Sequence, residues 1–231
     1  MVFLISLISV VLFAIVFKAP LKRAPWLFYI IGAALVVLFV FQKPLGLPVF
    51  IQHALFYLMH KCTVAQALFS VVMFIGVFNE RSRVRTYLMP IRAELSILGC
   101  IFALGHIINY TIEYVPHVIA MGMNMRATIL LSLFLALILT VLLVLLGVTS
   151  FNSVKRRMRA VSWKRIQLFA YVFYAMIYVH LMLLLLPSAL LGGSTAQVSV
   201  VVYTVVFVSY AVLRTLKAIR DRSPARAVPA A

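Results

Sequence analysis

Arg92-Ala-Glu-Leu-Ser-Ile-Leu-Gly-Cys-Ile-Phe-Ala-Leu-Gly-His106-Ile-Ile-Asn-Tyr110 is the stretch whose character sets the fold. It opens on a cation, carries no further charge between Glu94 and Tyr110, and places one histidine 14 residues beyond the arginine. An apolar run of this length is a transmembrane helix candidate. At about 1.5 Å per residue, such a helix lifts His106 about 21 Å across a hydrocarbon core of about 30 Å. A second segment repeats the arrangement, with His180 lying 15 residues after Arg165. That spacing corresponds to about 22 Å from the same basic face. Ionisable side chains at such depth are expensive, so two at one level point to a shared partner, a haem iron between two imidazoles. The competing reading has each histidine hydrogen-bonded to a neighbouring helix.

The surrounding composition fits a membrane domain. The chain has 231 residues, 65% of them hydrophobic and 11% charged, and its mean hydropathy is +1.15. Seven spans are predicted, at about residues 2–17, 26–41, 62–79, 93–112, 127–149, 165–186 and 197–213. The fold class is therefore all-α, a polytopic transmembrane helical bundle, because irregular backbone facing lipid is excluded at membrane depth. No segment remains for a soluble domain that could hold a nicotinamide or flavin in a Rossmann-type sheet.

The net charge of +17 would suit a nucleic-acid partner if it were gathered on one soluble face. Instead it alternates along the chain. The first, third and fifth loops and the C-terminal tail hold 18 of the 21 Lys and Arg, and the remaining connections hold three. This is the positive-inside pattern, placing the N-terminus outside and the C-terminus in the cytoplasm of a multi-pass protein of the cell membrane. No nucleic acid is needed to account for the charge, and the partner implied is the lipid bilayer.

Residues 1–25 form a separate anchor helix and basic loop in this reading, since Lys18, Lys22 and Arg23 follow the first span and no basic segment precedes it. Pro44, Gly46 and Pro48 end the second span. The apolar segment Val49–Met59 is too short to cross alone, so it reads as an outer interfacial helix or an extension of the third span. Trp26, Tyr87, Tyr114 and Trp163 fit aromatic belts. Residues 214–231 read as a basic helix end and a stub at the lipid headgroups. Cys62 and Cys100 imply no disulfide framework.

All five histidines, His53, His60, His106, His117 and His180, fall towards the outer side in this topology. His53 and His60 are seven apart and share a helical face suited to a haem propionate, a quinone or a metal, or merely to headgroups. His117 follows Pro116 in an outer loop. Arg81, Arg83, Arg85 and the run Lys155 to Arg165 either dock an acidic flavoprotein or set topology; topology is the simpler account. The acidic residues Glu80, Glu94, Glu113 and Asp221 form no intramembrane pair for proton relay or metal-assisted hydrolysis. A buried Ser-His-Asp arrangement for a membrane protease is likewise missing from the sequence pattern.

Two blocks carry a resemblance. The Arg92–Tyr110 stretch resembles, without gaps, a helix of the MsrQ/YedZ haem-binding branch of the ferric-reductase-like transmembrane family, in which a basic residue precedes a histidine followed four residues later by tyrosine. Leu146-Gly-Val-Thr-Ser-Phe-Asn152, the basic Val154-Lys-Arg-Arg-Met158, Trp163-Lys-Arg-Ile-Gln167 and His180 resemble the family's Thr-Ser-x-Asn turn, basic loop, Trp-x-x-Leu-His helix start and second histidine. The resemblance covers about residues 60–190. It implies a haem-binding domain over residues 26–213 in which His106 and His180 are the axial ligands of one haem b. Where the family has its inner histidine this chain has Gln167, a poor iron ligand, which puts a second haem in doubt. His60, Arg92 and Gln167 are supporting candidates, for a propionate or for a quinone or FMN.

The function these observations predict is that of a b-type cytochrome. It would move electrons between a quinol or separate flavoprotein and an extracytoplasmic redox partner or ferric substrate, as the electron-transfer subunit of an oxidoreductase. The alternatives are a haem-free structural or assembly subunit and a small-solute carrier gated by histidine protonation.

Overall fold

The computed structural model describes residues 2–42, 44–59, 61–121 and 125–222. Every regular element among them is helical: α1 Val2–Val16, α2 Lys18–Arg23, α3 Pro25–Val40, α4 Val49–Met59, α5 Thr63–Ile75, α6 Arg83–Leu88, a 3₁₀ turn Met89–Ile91, α7 Arg92–Met121, α8 Ala127–Ser150, α9 Asn152–Arg157, α10 Ala160–Leu190 and α11 Ser194–Arg222. Four long apolar helices can cross a membrane by length and composition: Arg83–Ala120, Ala127–Ser150, Ala160–Leu190 and Ser194–Asp221. Their outer faces present large apolar side chains such as Ile119, Leu137, Val141 and Val201. Contiguous apolar surface on this scale is the mark of a lipid-facing protein.

The helices at the predicted first, second and third spans are short, with 15, 16 and 13 residues. At about 1.5 Å per residue α5 reaches only about 20 Å, less than a bilayer core. It can do so because protein surrounds it. Eleven of its residues are buried, Val64 and Phe74 being the exceptions. Ser6 on α1 donates to Thr63, Tyr174 on α10 to Ser70, and the ring of Phe74 meets Tyr210 on α11 at 5.6 Å. The small residues Ala65, Ala67 and Ser70 let these neighbours approach closely, the usual basis of helix packing where lipid removes the hydrophobic drive.

The N-terminal helix is part of this core. Phe3, Val10 and Ala14 of α1 are buried, and the ring of Phe3 lies 4.4 Å from Tyr203 of α11. The apolar segment after Pro48 is a helix of its own: α4 ends before Cys62, whose positive φ of 55° breaks the path into α5. Pro116 does not end α7, which runs on to Met121. His117 therefore lies in a helix and not in the predicted loop, its Nδ1 donating to Glu113 O at 2.8 Å. Proline removes one i to i−4 bond, and the turns on either side keep the helix going.

The basic segments gather at one end of the bundle. Lys22 reaches Pro90 O and Glu94, Lys18 lies over the Tyr87 ring, Lys155 lies over Trp163, and Arg214 lies over Tyr171. Three cations also close the C-terminal end of α5. Arg92 Nε donates to Val72 O at 3.1 Å, Lys217 Nζ donates to Gly76 O at 2.8 Å, and Lys217 and Arg85 both donate to Phe78 O. Helix ends leave carbonyls unpaired and carry partial negative charge, so cations are the natural caps there. Part of the basic charge that alternates along the sequence thus has a local structural role.

Candidate functional site

Phe69 on α5 sets the relative level of α7 and α10. Gly99 of α7 lies against it so closely that a Cβ there would stand 2.8 Å from Phe69 Cε1, and the Phe173 ring of α10 packs edge-on at 5.3 Å. Both helices start at the basic end and run the same way. His106 follows Gly99 by seven residues, and His180 follows Phe173 by seven. Seven residues make two turns, about 10 Å, and return to nearly the same face. The two histidines therefore occupy equivalent positions on parallel helices, two turns beyond Phe69 on the side away from the basic end.

Their surroundings differ. His106 is half-buried, with its ring 4.5 Å from that of Tyr110 one turn on. His180, also half-buried, turns to α8, where its Nδ1 lies 3.2 Å from Ser132 O and 3.1 Å from Ser132 Oγ. A carbonyl oxygen only accepts, so the bond to Ser132 O puts the proton on Nδ1 and leaves the lone pair on Nε2. Metal-bound histidines are commonly held in this way, the second ring nitrogen donating to a carbonyl that fixes tautomer and orientation. Ser132 is itself buried.

At the basic end, Arg92 and Gln167 come together on the walls of two adjoining cavities. The first, of about 170 Å³, is bounded by α5, α7, α8 and α10, with Ser96, Ser150, Lys155 and Trp163 among its lining. The second, of about 290 Å³, lies towards α11 and adds Lys164, Tyr171 and Arg214. Thr149 fixes the α8 side. Its carbonyl accepts from Trp163 Nε1 at 2.9 Å and its hydroxyl from Gln167 Nε2 at 3.0 Å. The Gln167 amide is thereby tied to α8.

The weaker candidates are dispersed. His53 is exposed on α4, and His60 lies outside the described residues. His117 is exposed near the end of α7. Arg85 pairs with Glu80 at 3.2 Å and the Arg81 amide donates to Asn79 Oδ1, contacts that order the connection after α5. Cys62 and Cys100 are free thiols. Among the described residues no group of three or more His, Cys, Asp or Glu is arranged to hold a metal ion, a pattern that a two-histidine haem site does not need.

Sequence reasoning missed Ser132, took Thr149 only as part of a turn motif, and missed Ser70 and Lys217. A usable signal exists for the first two. Ser132 and His180 are equally far from Arg156, as are Thr149 and Trp163, so folding α8 back on α10 about that basic loop pairs both sets.

No family model matches the chain, and no solved structure matches it. An uncharacterized protein of Treponema pallidum (strain Nichols) is 39% identical over 174 residues, which cover 74% of this chain and 48% of that protein. The chain thus spans about half the length of this relative.

Proposed function

We propose that the protein is a membrane-embedded b-type cytochrome that binds one haem between His106 and His180. The observation that carries this reading is the Nδ1–H of His180 held by Ser132 O, which presents Nε2 as a ligand. The equal two-turn offset of both histidines from Phe69 supports it, because an axial pair must approach one iron from two helices at one level.

The donor set fits this group. Two imidazoles in apolar surroundings suit a low-spin haem iron, and the haem when bound would supply one-electron transfer. The residues of this chain would orient the ligands, exclude water and lower the local dielectric. Gln167, tied to Thr149, offers no ligand for a second haem at the basic end. By the positive-inside rule that end faces the cytoplasm and meets the donor, a quinol or a separate flavoprotein. The acceptor then lies on the opposite side of the cell membrane.

The same His180–Ser132 bond also suits a haem-free scaffold subunit in which histidine only ties α10 to α8. Visible spectra separate the two readings. Protein purified after expression with haem available is expected to show a Soret band and a reduced α band with about one haem per chain, and His106→Ala and His180→Ala are each expected to lose them. Wild-type protein with no such bands would overturn the cytochrome reading. A ratio near two would overturn the single-haem assignment.

A further inference from the structure

The two cavities at the basic end have a chemistry that haem ligation does not use and helix capping, through Arg92, uses only in part. Arg92 lines both, Lys155 joins it in the first, and Lys164 and Arg214 join it in the second. Among the described residues no carboxylate lines either cavity. Among the described residues the ion pairs are Lys22–Glu94, Arg85–Glu80 and Arg220–Asp221, so none of these four cations is neutralised by an acid. Arg92 spends its Nε on Val72 O; its planar guanidinium has further N–H donors suited to a tetrahedral oxyanion.

The walls are otherwise apolar or aromatic. Phe69, Leu143, Leu146 and Phe173 line the deeper part of the first cavity, and Leu168, Tyr171 and Tyr210 line the second. Leu168 and Tyr171 are exposed on the outer face of α10, 58% and 39%, so the second cavity reaches the side of the bundle that faces lipid. Each cavity lies below the roughly 300–1,000 Å³ of a drug-sized or cofactor pocket and is closer to the size of a headgroup. The level is also that of the basic loops and of Trp163, where phosphate groups of a bilayer lie.

We propose that these cavities bind a phosphate group, with Arg92 as the inner contact and Lys164 and Arg214 at the entrance, and that an acidic phospholipid entering beside α10 is its source. The apolar lining receives the start of the acyl chains while the cations take the phosphate oxygens through charge-assisted hydrogen bonds. This inference does not rest on the haem reading, since it uses residues two or more turns from the histidines.

Delipidated full-length protein in detergent, titrated with phosphatidylglycerol, phosphatidylcholine or inorganic phosphate, tests it by native mass spectrometry and thermal melting. The expected result is tight retention of phosphatidylglycerol over phosphatidylcholine, weakened at least about tenfold in a Lys164→Gln/Arg214→Gln double variant. Arg156→Gln, an exposed charge outside both cavities, is the control and is expected to change retention little. Arg92→Gln should weaken retention further; the entrance variant keeps the test decisive if loss of the α5 contact unfolds the protein. Protection by inorganic phosphate equal to that by the lipid, and lost in the same variants, would keep the phosphate site and make its source soluble. Equal retention of both lipids with no effect of phosphate, or equal losses in the entrance and control variants, would overturn it.

Discussion

Tyr174 on α10 donates its phenolic hydrogen to Ser70 Oγ on α5 at 2.9 Å, and both residues are buried. This bond lies one residue from the Phe69–Phe173 ring contact on each helix, so the polar and aromatic contacts fix the same register. That register determines the level of His180. Tyr174→Phe leaves the Ser70 hydroxyl without its donor and is expected to cost about 1 kcal/mol, within the range for interhelical bonds in membranes. Ser70→Ala orphans the tyrosine hydroxyl and should cost as much or more. Thermal melting of purified variants in detergent checks both, and the double variant should lose less than the sum of the single losses.

Gly99 is required by the close approach of Phe69. A Cβ there falls within 2.8 Å of an aromatic carbon, so Gly99→Val must displace the ring or separate α5 from α7. Overpacking of this kind typically costs about 1–3 kcal/mol. The checking experiment pairs Gly99→Val with Phe69→Leu, whose smaller side chain makes room. Partial recovery of the melting temperature in the double variant is the expected outcome. Additive losses would show that the two positions do not share the contact.

Lys217 carries a third prediction. It is buried, and its ammonium donates to Gly76 O and Phe78 O at the end of α5. Lys217→Met keeps the apolar stem and removes both bonds, so it is expected to destabilise the protein by about 1–3 kcal/mol. Hydrogen exchange is the sharper measurement. The amides of the last turn of α5 should lose protection more than those of α8, since the Lys217 ammonium bonds to Gly76 O and Phe78 O.

How much of this was legible in the sequence depends on the range of the interaction. The helices beginning at Arg92, Ala127 and Ala160 follow from apolar runs between charges, because the membrane imposes length and excludes open backbone. The helical path through Pro116 was less legible, because a single proline weakens a long helix without ending it. The central position of α5 was not legible: Thr63, Gln66 and Ser70 make it no more apolar than the lipid-facing spans, yet it is the most enclosed of the described helices. Those polar groups are tolerated because other helices, and not lipid, surround them. For the candidate site, the histidine levels could be read from loop charges, whereas the Ser132 partner depends on the folding of α8 against α10. The basic residues were legible only in part. As a class their placement follows the positive-inside rule, but whether Arg92 or Lys217 also caps α5 depends on contacts made across the bundle.

The Ser132–His180 pair makes the cytochrome reading testable beyond simple loss of ligand. Ser132→Ala removes the hydroxyl but leaves Ser132 O, so the Nδ1–H bond that sets the tautomer survives. Haem retention is therefore expected to stay near wild type, with a shift in midpoint potential as the detectable change. His180→Gly removes the ligand while opening a space of imidazole size. Retention should collapse in that variant and return when free imidazole is added during haem loading, because the added ring can occupy the vacated position. His106→Gly should behave likewise if both rings meet one iron. Reduced-minus-oxidised spectra at increasing imidazole provide the measurement. Recovery at neither position, in variants whose melting shows them folded, would assign the histidines to helix packing, as in the scaffold reading.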